Sequence, residues 1–179
     1  MKCIEFKEMK ITDLHNDLFL NFDRSKDVKR CYRKENDRWI LRNIEYTETW
    51  DQKELEELPA ELAETIIDGG YVFCACCDEK LIGIAVLLNQ KFGSENQYIQ
   101  LAEISVSLNY RKKGIGKQLF GLCVEKAKSI GVEKIYISTD PAEEVQKFYL
   151  SMGCTDAIEI NKSIGDEEPF DRQMEYIVK

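Results

Sequence analysis

Leu108–Phe120 reads LNYRKKGIGKQLF: Arg111, Lys112 and Lys113, then Gly114 and Gly116 around Ile115, then Lys117 at the head of an apolar-periodic run. The preceding residues, Gln97 to Ser107 (QYIQLAEISVS), alternate as a strand does. Ile115, Leu119, Leu122, Cys123 and Ile130 recur on one helical face, so the stretch lies at a strand-to-helix turn. Glycines at such a turn let backbone N–H groups converge on an anion, and the helix dipole adds its positive end. The P-loop pattern does not fit, because Gln118 follows Gly116-Lys117 and Lys112 stands where the first glycine belongs. The dinucleotide fingerprint fails as well, with Gly121 out of step. Read alone, the stretch is a weak anion site, or simply a basic turn ahead of a surface helix.

Working outward, EKIYIST predicts a strand and PAEEVQKFYLSM a helix, with Pro141 near its first turn and Gly153 at its end. Upstream, YVFCACC and LIGIAVLLN predict a hairpin through Asp78-Glu79-Lys80. DQKELEELPAELAETIIDGG is an acidic helix whose Leu55, Leu58, Leu62 and Ile66 form one stripe, with Pro59 predicting a kink or two pieces. Arg38 to Tyr46 reads as a strand, Met1 to Phe6 as a short strand, and Leu14, Leu18 and Phe22 fall at helical spacing behind Thr12 and Asp13. Strands are also expected around residues 156–160 and 173–178, separated by the polar KSIGDEEPFD.

Composition narrows the function. The chain has 179 residues, enough for one domain with a sizeable core, and a net charge of −8. That charge argues against nucleic acid and suits a cationic amine, although a solvated acidic surface explains it equally well. The seven cysteines are an odd number, and charges interrupt the first twenty positions, so reduced thiols in a cytoplasmic protein are expected. CACC at Cys74–Cys77 lacks a second Cys/His pair at ligand spacing and the only histidine is His15, so a buried strand is expected rather than a metal site. No apolar run is long enough to span a bilayer.

R-x-x-G-x-G at Arg111–Gly116, the strand LAEISVS before it and KFYLSMGC after it together resemble the GNAT superfamily of acyl-CoA N-acyltransferases. The resemblance covers residues 71–154 and implies a single domain over 1–179. It implies an α/β (α+β) fold: a mixed, mostly antiparallel six- to seven-stranded sheet flanked by helices, with splayed central parallel strands. It further implies acetyl-CoA as cosubstrate, a small-molecule amine as acceptor, and no metal, nucleic acid or membrane; a homodimer is compatible with it.

Residue by residue, the resemblance puts acyl-CoA against main-chain groups of Ile104, Ser105 and Val106. The pyrophosphate falls on the N–H groups of Arg111, Lys112, Lys113, Gly114, Ile115, Gly116 and Lys117. Tyr149 matches the tyrosine proposed to protonate the leaving thiolate, a role its O–H suits; packing at a helix end is the plainer reading. Glu103 is the candidate general base by location, against a solvated strand carboxylate; Gln100, at another family base position, cannot act as one. Cys154 replaces the usual phenylalanine, and Ala142 stands where many relatives carry an asparagine, with Asp140 or Ser138 as substitutes. Carboxylates of Glu54–Glu64 and of Gly165–Gln173 present themselves either to a polyamine-like cation or merely to solvent. The competing functions are acetylation of a protein N-terminus or lysine, and a non-catalytic acyl-CoA-binding module.

Overall fold

The computed structural model describes residues 4–179. Seven strands form one sheet: β1 (Ile4–Glu8), β4 (Tyr71–Cys77), β5 (Lys80–Leu87), β6 (Tyr98–Val106), β7 (Lys134–Thr139), β9 (Arg172–Ile177) and β8 (Thr155–Asp156), in that spatial order. All neighbours are antiparallel except β6 and β7. A separate two-stranded hairpin joins β2 (Lys26–Glu35) to β3 (Arg38–Glu48). The helices are α1 (Gln52–Ile67), α2 (Ile115–Ser129), α3 (Glu143–Ser151) and α4 (Lys162–Glu167).

Strand alternation divides the core. On β4, Phe73, Ala75 and Cys77 join the cluster under α2 and α3; Val72 and Cys74 join the opposite cluster with Leu62 of α1 and with Phe19 and Phe22. A strand buried on both faces reads as a continuous apolar run, and the cysteines of CACC serve in it as small hydrophobes. The β4–β5 turn places Asp78 and Glu79 at φ of 50° and 63°, as a primed hairpin turn requires.

The acidic helix α1 opens with a capping box. The Asp51 side chain accepts from the Glu54 N–H at 2.9 Å and Glu54 accepts from the Asp51 N–H at 2.6 Å. It runs unbroken through Pro59, whose ring is buried. The proline costs one intrahelical bond, which burial of the residue helps to offset.

Three expectations are corrected. No α-helix forms around Leu14–Phe22: a 3-10 turn at Ile11–Asp13 leads into turns closed by Leu18 N–H to the His15 carbonyl and Phe22 N–H to the Phe19 carbonyl. Asn16, Asp17 and Asn21 favour such turns over a helix interior, and burial of Phe19 and Phe22 holds the segment down. The strand expected near 156–160 shrinks to Thr155–Asp156, because Glu159 turns away to accept bonds from the Ser94 N–H at 2.8 Å and Gln97 Nε2 at 3.0 Å. The polar KSIGDEEPFD includes α4, capped by Asn161 accepting from the Ile164 N–H at 3.3 Å.

One strand had no signal. β2, KDVKRCYRKE, is charged at seven of its ten residues, and only its Val28 and Cys31 are buried. It forms because Asn36 and Asp37, at φ of 46° and 61°, turn it back onto β3. The hairpin docks on the chain entering α3: Cys31 bridges Ala142, and the Tyr32 N–H donates to the Pro141 carbonyl at 2.8 Å.

Candidate active site

β6 pairs with β7 only through Tyr98, Ile99 and Gln100, opposite Lys134, Ile135 and Tyr136. On its other side the register against β5 jumps between Val86–Glu103 and Leu87–Leu101, leaving Ala102 as a bulged residue. The bulge bends β6 away, while β7 stays paired along its whole length with β9 on its opposite edge. Among the described residues, no β7 partner therefore faces Ile104, Ser105 or Val106, and their outer backbone edge borders a gap.

The gap is one part of a continuous groove. Its middle, about 210 Å³, is lined by Ile104, Ser105, Val106, Arg111, Asp140 and Glu144 among others. Through Val106, Arg111 and Glu144 it meets a mostly apolar recess of about 500 Å³ that contains Gly114, Ile115, Gly116, Lys117 and Phe148. Through Ile104 and Asp140 it meets a polar cleft of about 660 Å³ that contains Tyr149, Glu103 and Asp171. The loop, the strand edge and the two candidate catalytic side chains named from the sequence thus line adjoining recesses.

At the loop end, Gly114 caps α2 in the left-handed region at φ 82°, where a side chain would be strained. The first bond of the helix runs from the Gln118 N–H to the Gly114 carbonyl at 3.1 Å, so Ile115, Gly116 and Lys117 contribute its orphan N–H groups. A Cβ on Gly116 would meet the Phe148 ring at 3.5 Å and Val106 at 3.8 Å, ordinary contacts, so no protein neighbour demands a glycine there.

Arg111 is committed elsewhere. Its guanidinium donates to the carbonyls of Val106 (2.8 Å), Ser25 (2.8 Å) and Arg24 (2.9 Å), and its own N–H donates to the Leu108 carbonyl at 3.3 Å. Burial lowers its pKa from the ordinary value. It braces the start of β2 against the end of β6, leaving the outward charge to Lys112, Lys113 and Lys117. Of these, Lys112 lies 3.5 Å from Glu144, and Lys113 donates to the Asn109 carbonyl at 2.8 Å.

At the cleft end, Tyr149 is 5% exposed and packs edge-on against Phe148 and Phe120. Burial, and then the nearby Glu103 carboxylate, keep its hydroxyl protonated well above the usual phenol range. Glu103 accepts from Ser105 Oγ and lies 3.7 Å from Arg24. Arg24 also pairs with Glu48 at 3.3 Å and lies 4.3 Å over the Trp50 ring. Lys26 links Glu48 to Asp140, at 2.8 Å from each. Burial pushes Asp140 up, but the Lys26 ammonium and the Ala142 N–H outweigh it and hold Asp140 below the usual carboxylate range.

Asp171 differs. Its carboxylate accepts one described hydrogen bond, from Ser138 Oγ at 3.2 Å, and among the described residues no cation lies within ion-pair distance of that carboxylate. Burial, then the nearby Asp140, push it up to about 6. Glu167 and Glu168 line the same cleft, while Glu54, Glu57 and Glu61 of α1 line a second recess of about 360 Å³ that also reaches Glu103. Ala142 is 2% exposed beneath Val28 and Cys31 of the hairpin, and its N–H donates to Asp140 at 2.6 Å. The room an asparagine would occupy is filled by the hairpin.

Arg24, Lys26 and Glu48 have no counterpart in the sequence reading. They come from the two ends of the hairpin, and no spacing in the chain brings them to Glu103. Asp171 lies in the acidic tail segment, where composition marked the charge but not the position.

The chain is 30% identical over 92 residues to YvbK, an uncharacterized N-acetyltransferase of Bacillus subtilis, covering 51% of this chain and 57% of the relative. The chain thus matches little more than half the length of that curated relative. Among solved structures, it resembles a Bacillus anthracis protein assigned as a streptothricin acetyltransferase, in complex with acetyl coenzyme A. That match has a TM-score of 0.73 and 20% identity, covering 98% of each chain. A nourseothricin acetyltransferase gives a TM-score of 0.68 at 18% identity, covering 98% of this chain and 99% of that one. At such identities these structures share the fold. The model of the acetyltransferase (GNAT) family matches residues 31–154, most of the length of the chain, and the protein belongs to that family.

Proposed function

We propose that the chain is an N-acetyltransferase that moves the acetyl group of acetyl-CoA to a primary amine of a small cationic molecule, by direct attack with both substrates bound. The observation that carries this reading is the parting of β6 from β7 after three paired residues, which joins the glycine loop to Tyr149 in one groove. The streptothricin and nourseothricin acetyltransferases of like fold are named for small-molecule acceptors, which supports the same class.

The residues present fit the cosubstrate. The orphan N–H groups at the start of α2, with Lys112, Lys113 and Lys117 around them, suit a pyrophosphate, and Gly116 leaves the space a Cβ would take. The free edge of Ile104, Ser105 and Val106 suits an extended arm bearing amides, which would pair with it as an added strand does. Arg111 sets the shape of the loop rather than its charge. When bound, acetyl-CoA supplies a thioester carbonyl open to an amine.

The chain supplies proton management and orientation. An amine at neutral pH is mostly protonated, so attack needs a proton acceptor nearby. Glu103 fills this role, oriented by Ser105 and Arg24, and takes the ammonium proton directly or through one water. Tyr149, kept protonated by its burial, donates to the sulfur that leaves. Asp171, Glu167 and Glu168 offer carboxylates to the acceptor's cationic groups, in a cleft whose lining also includes Arg24 and Arg33.

Two measurements test this reading. Acetyl-CoA should raise the melting temperature of the protein, since a ligand of the folded state stabilises it. Thiol release should follow with streptothricin, an aminoglycoside or a polyamine. No thermal shift at saturating acetyl-CoA refutes the donor, and turnover of lysine peptides but of no small amine overturns the acceptor class.

A further inference from the structure

Cys74 and Cys76 lie two residues apart on β4, and their sulfurs approach to 3.9 Å. Residues i and i+2 of a strand share a face about 6.6 Å apart along the chain, the wide end of what a disulfide tolerates between Cα atoms. Here the register against β5 slips between Ala75 and Cys76, and the side chains converge over that irregularity. Cys77 points to the opposite face, into the α2 cluster. Cys74 is fully buried, and Cys76 is the one cysteine among the described residues that is not.

The surroundings favour a thiolate at Cys76. With Cys76 ionised, the Cys74 S–H is its hydrogen-bond donor. This bond, with the Lys7 ammonium of β1, brings Cys76 down to about 7 against the opposing effects of burial, Glu5 and Asp13. On β1, Lys7 stands opposite Cys74 and Glu5 opposite Cys76. Cys74, donating that bond and buried, is held above the usual thiol range. One sulfur is therefore nucleophilic and reachable, and the other is a protonated thiol within reach behind it.

We propose that Cys74 and Cys76 form an oxidisable dithiol, in which Cys76 reacts with a hydroperoxide and Cys74 resolves the product into a disulfide within β4. In the first step the Cys76 thiolate attacks the O–H oxygen of the peroxide; an S–O bond forms, the O–O bond breaks and the other oxygen leaves as alkoxide, or as hydroxide from hydrogen peroxide. The sulfur is oxidised by two electrons to a sulfenic acid while the peroxide is reduced. In the second step the Cys74 sulfur attacks the sulfenic sulfur. An S–S bond forms, the S–O bond breaks, and the leaving hydroxide takes up the Cys74 proton as water. The pair lies across the sheet from α2, in the cluster that holds Phe19, Phe22 and Leu62, and uses no residue of the groove.

The reduced full chain is treated with hydrogen peroxide, blocked with iodoacetamide under denaturing conditions and digested with trypsin. The peptide of residues 54–80 carries Cys74, Cys76 and Cys77. Expected is a peptide lighter by two hydrogens with one alkylated cysteine, Cys77, and return to three alkylated cysteines after dithiothreitol. Cys74→Ala should abolish the mass loss and leave Cys76 as a sulfenic acid that dimedone traps. Cys76→Ala should leave Cys74 reduced at the same peroxide concentration. A crosslink from Cys76 to Cys77 or Cys3, oxidation of Cys76 to the sulfinic acid with Cys74 still alkylatable, or no oxidation of either thiol each overturns the assignment.

Discussion

Cys31 of β2 and Ala142, the residue before α3, pair as an isolated antiparallel bridge that seals the hairpin onto the start of the helix. A charged ribbon thereby becomes one wall of the groove. Ala142 owes its small side chain to that contact, since Val28 and Cys31 close over it.

Ala142→Asn should destabilise the protein by about 1–3 kcal/mol, because the amide would be buried without a prepared partner. Chemical denaturation measures the loss. Acetyl-CoA affinity should not improve, and tighter binding with unchanged stability would contradict the role assigned to the hairpin.

Tyr149→Phe should lower turnover about 10²-fold, the usual worth of a positioned proton donor, while the melting-temperature rise with acetyl-CoA stays nearly the same. Steady-state rates alongside thermal shifts separate the two. An unchanged rate removes the hydroxyl from the chemistry.

Gly116→Ala should act with opposite signs on two readouts. The free protein keeps or gains stability, up to about 1 kcal/mol from helix propensity, since the new Cβ meets only ordinary contacts. The stabilisation by acetyl-CoA shrinks, because that Cβ intrudes where the loop N–H groups converge. Equal melting-temperature rises in variant and wild type would move the pyrophosphate elsewhere.

Arg111→Ala should cost about 2–3 kcal/mol, as three carbonyls lose a charged donor in a half-buried setting. Arg111→Lys should recover little, because an ammonium cannot reproduce the planar fork that reaches Val106, Ser25 and Arg24 together. Urea midpoints of the three proteins decide this.

Asp171 titrates near 6 in the folded protein, above its ordinary 3.8. Between those values the folded state holds a proton that the unfolded chain has released. Its contribution to stability is therefore present at low pH and lost as pH rises through 6. Asp171→Asn, which keeps an acceptor for Ser138, should match the wild type in acid and exceed it above pH 7 by on the order of 1 kcal/mol. Melting temperatures of both proteins across pH 4–8 follow the difference.

The core was legible from periodicity. The runs around the glycine loop, the β4–β5 hairpin and the α1 stripe all fold as their apolar spacing predicts, because burial of those side chains dominates their conformation. β2 was illegible because its stability comes from a turn and a neighbouring strand rather than from apolar alternation. The Leu14–Phe22 segment misled because its spacing fits a helix while its Asn and Asp residues favour turns. The groove was only half visible. Backbone positions along β6 and the α2 loop follow local order, whereas Arg24, Glu48 and Asp171 reach the cleft through tertiary packing between residues far apart in the chain.

Residues 24 and 25 serve two neighbourhoods at once: their carbonyls hold Arg111 beside the glycine loop, and the Arg24 side chain reaches Glu103 and Glu48 in the cleft. Any drift of this short segment that widens the cleft for a bulkier guest also slackens the brace on the loop. Adaptation to new guests is thus constrained at the segment leading into β2, whereas Asp171 is held by bonds that do not reach the glycine loop.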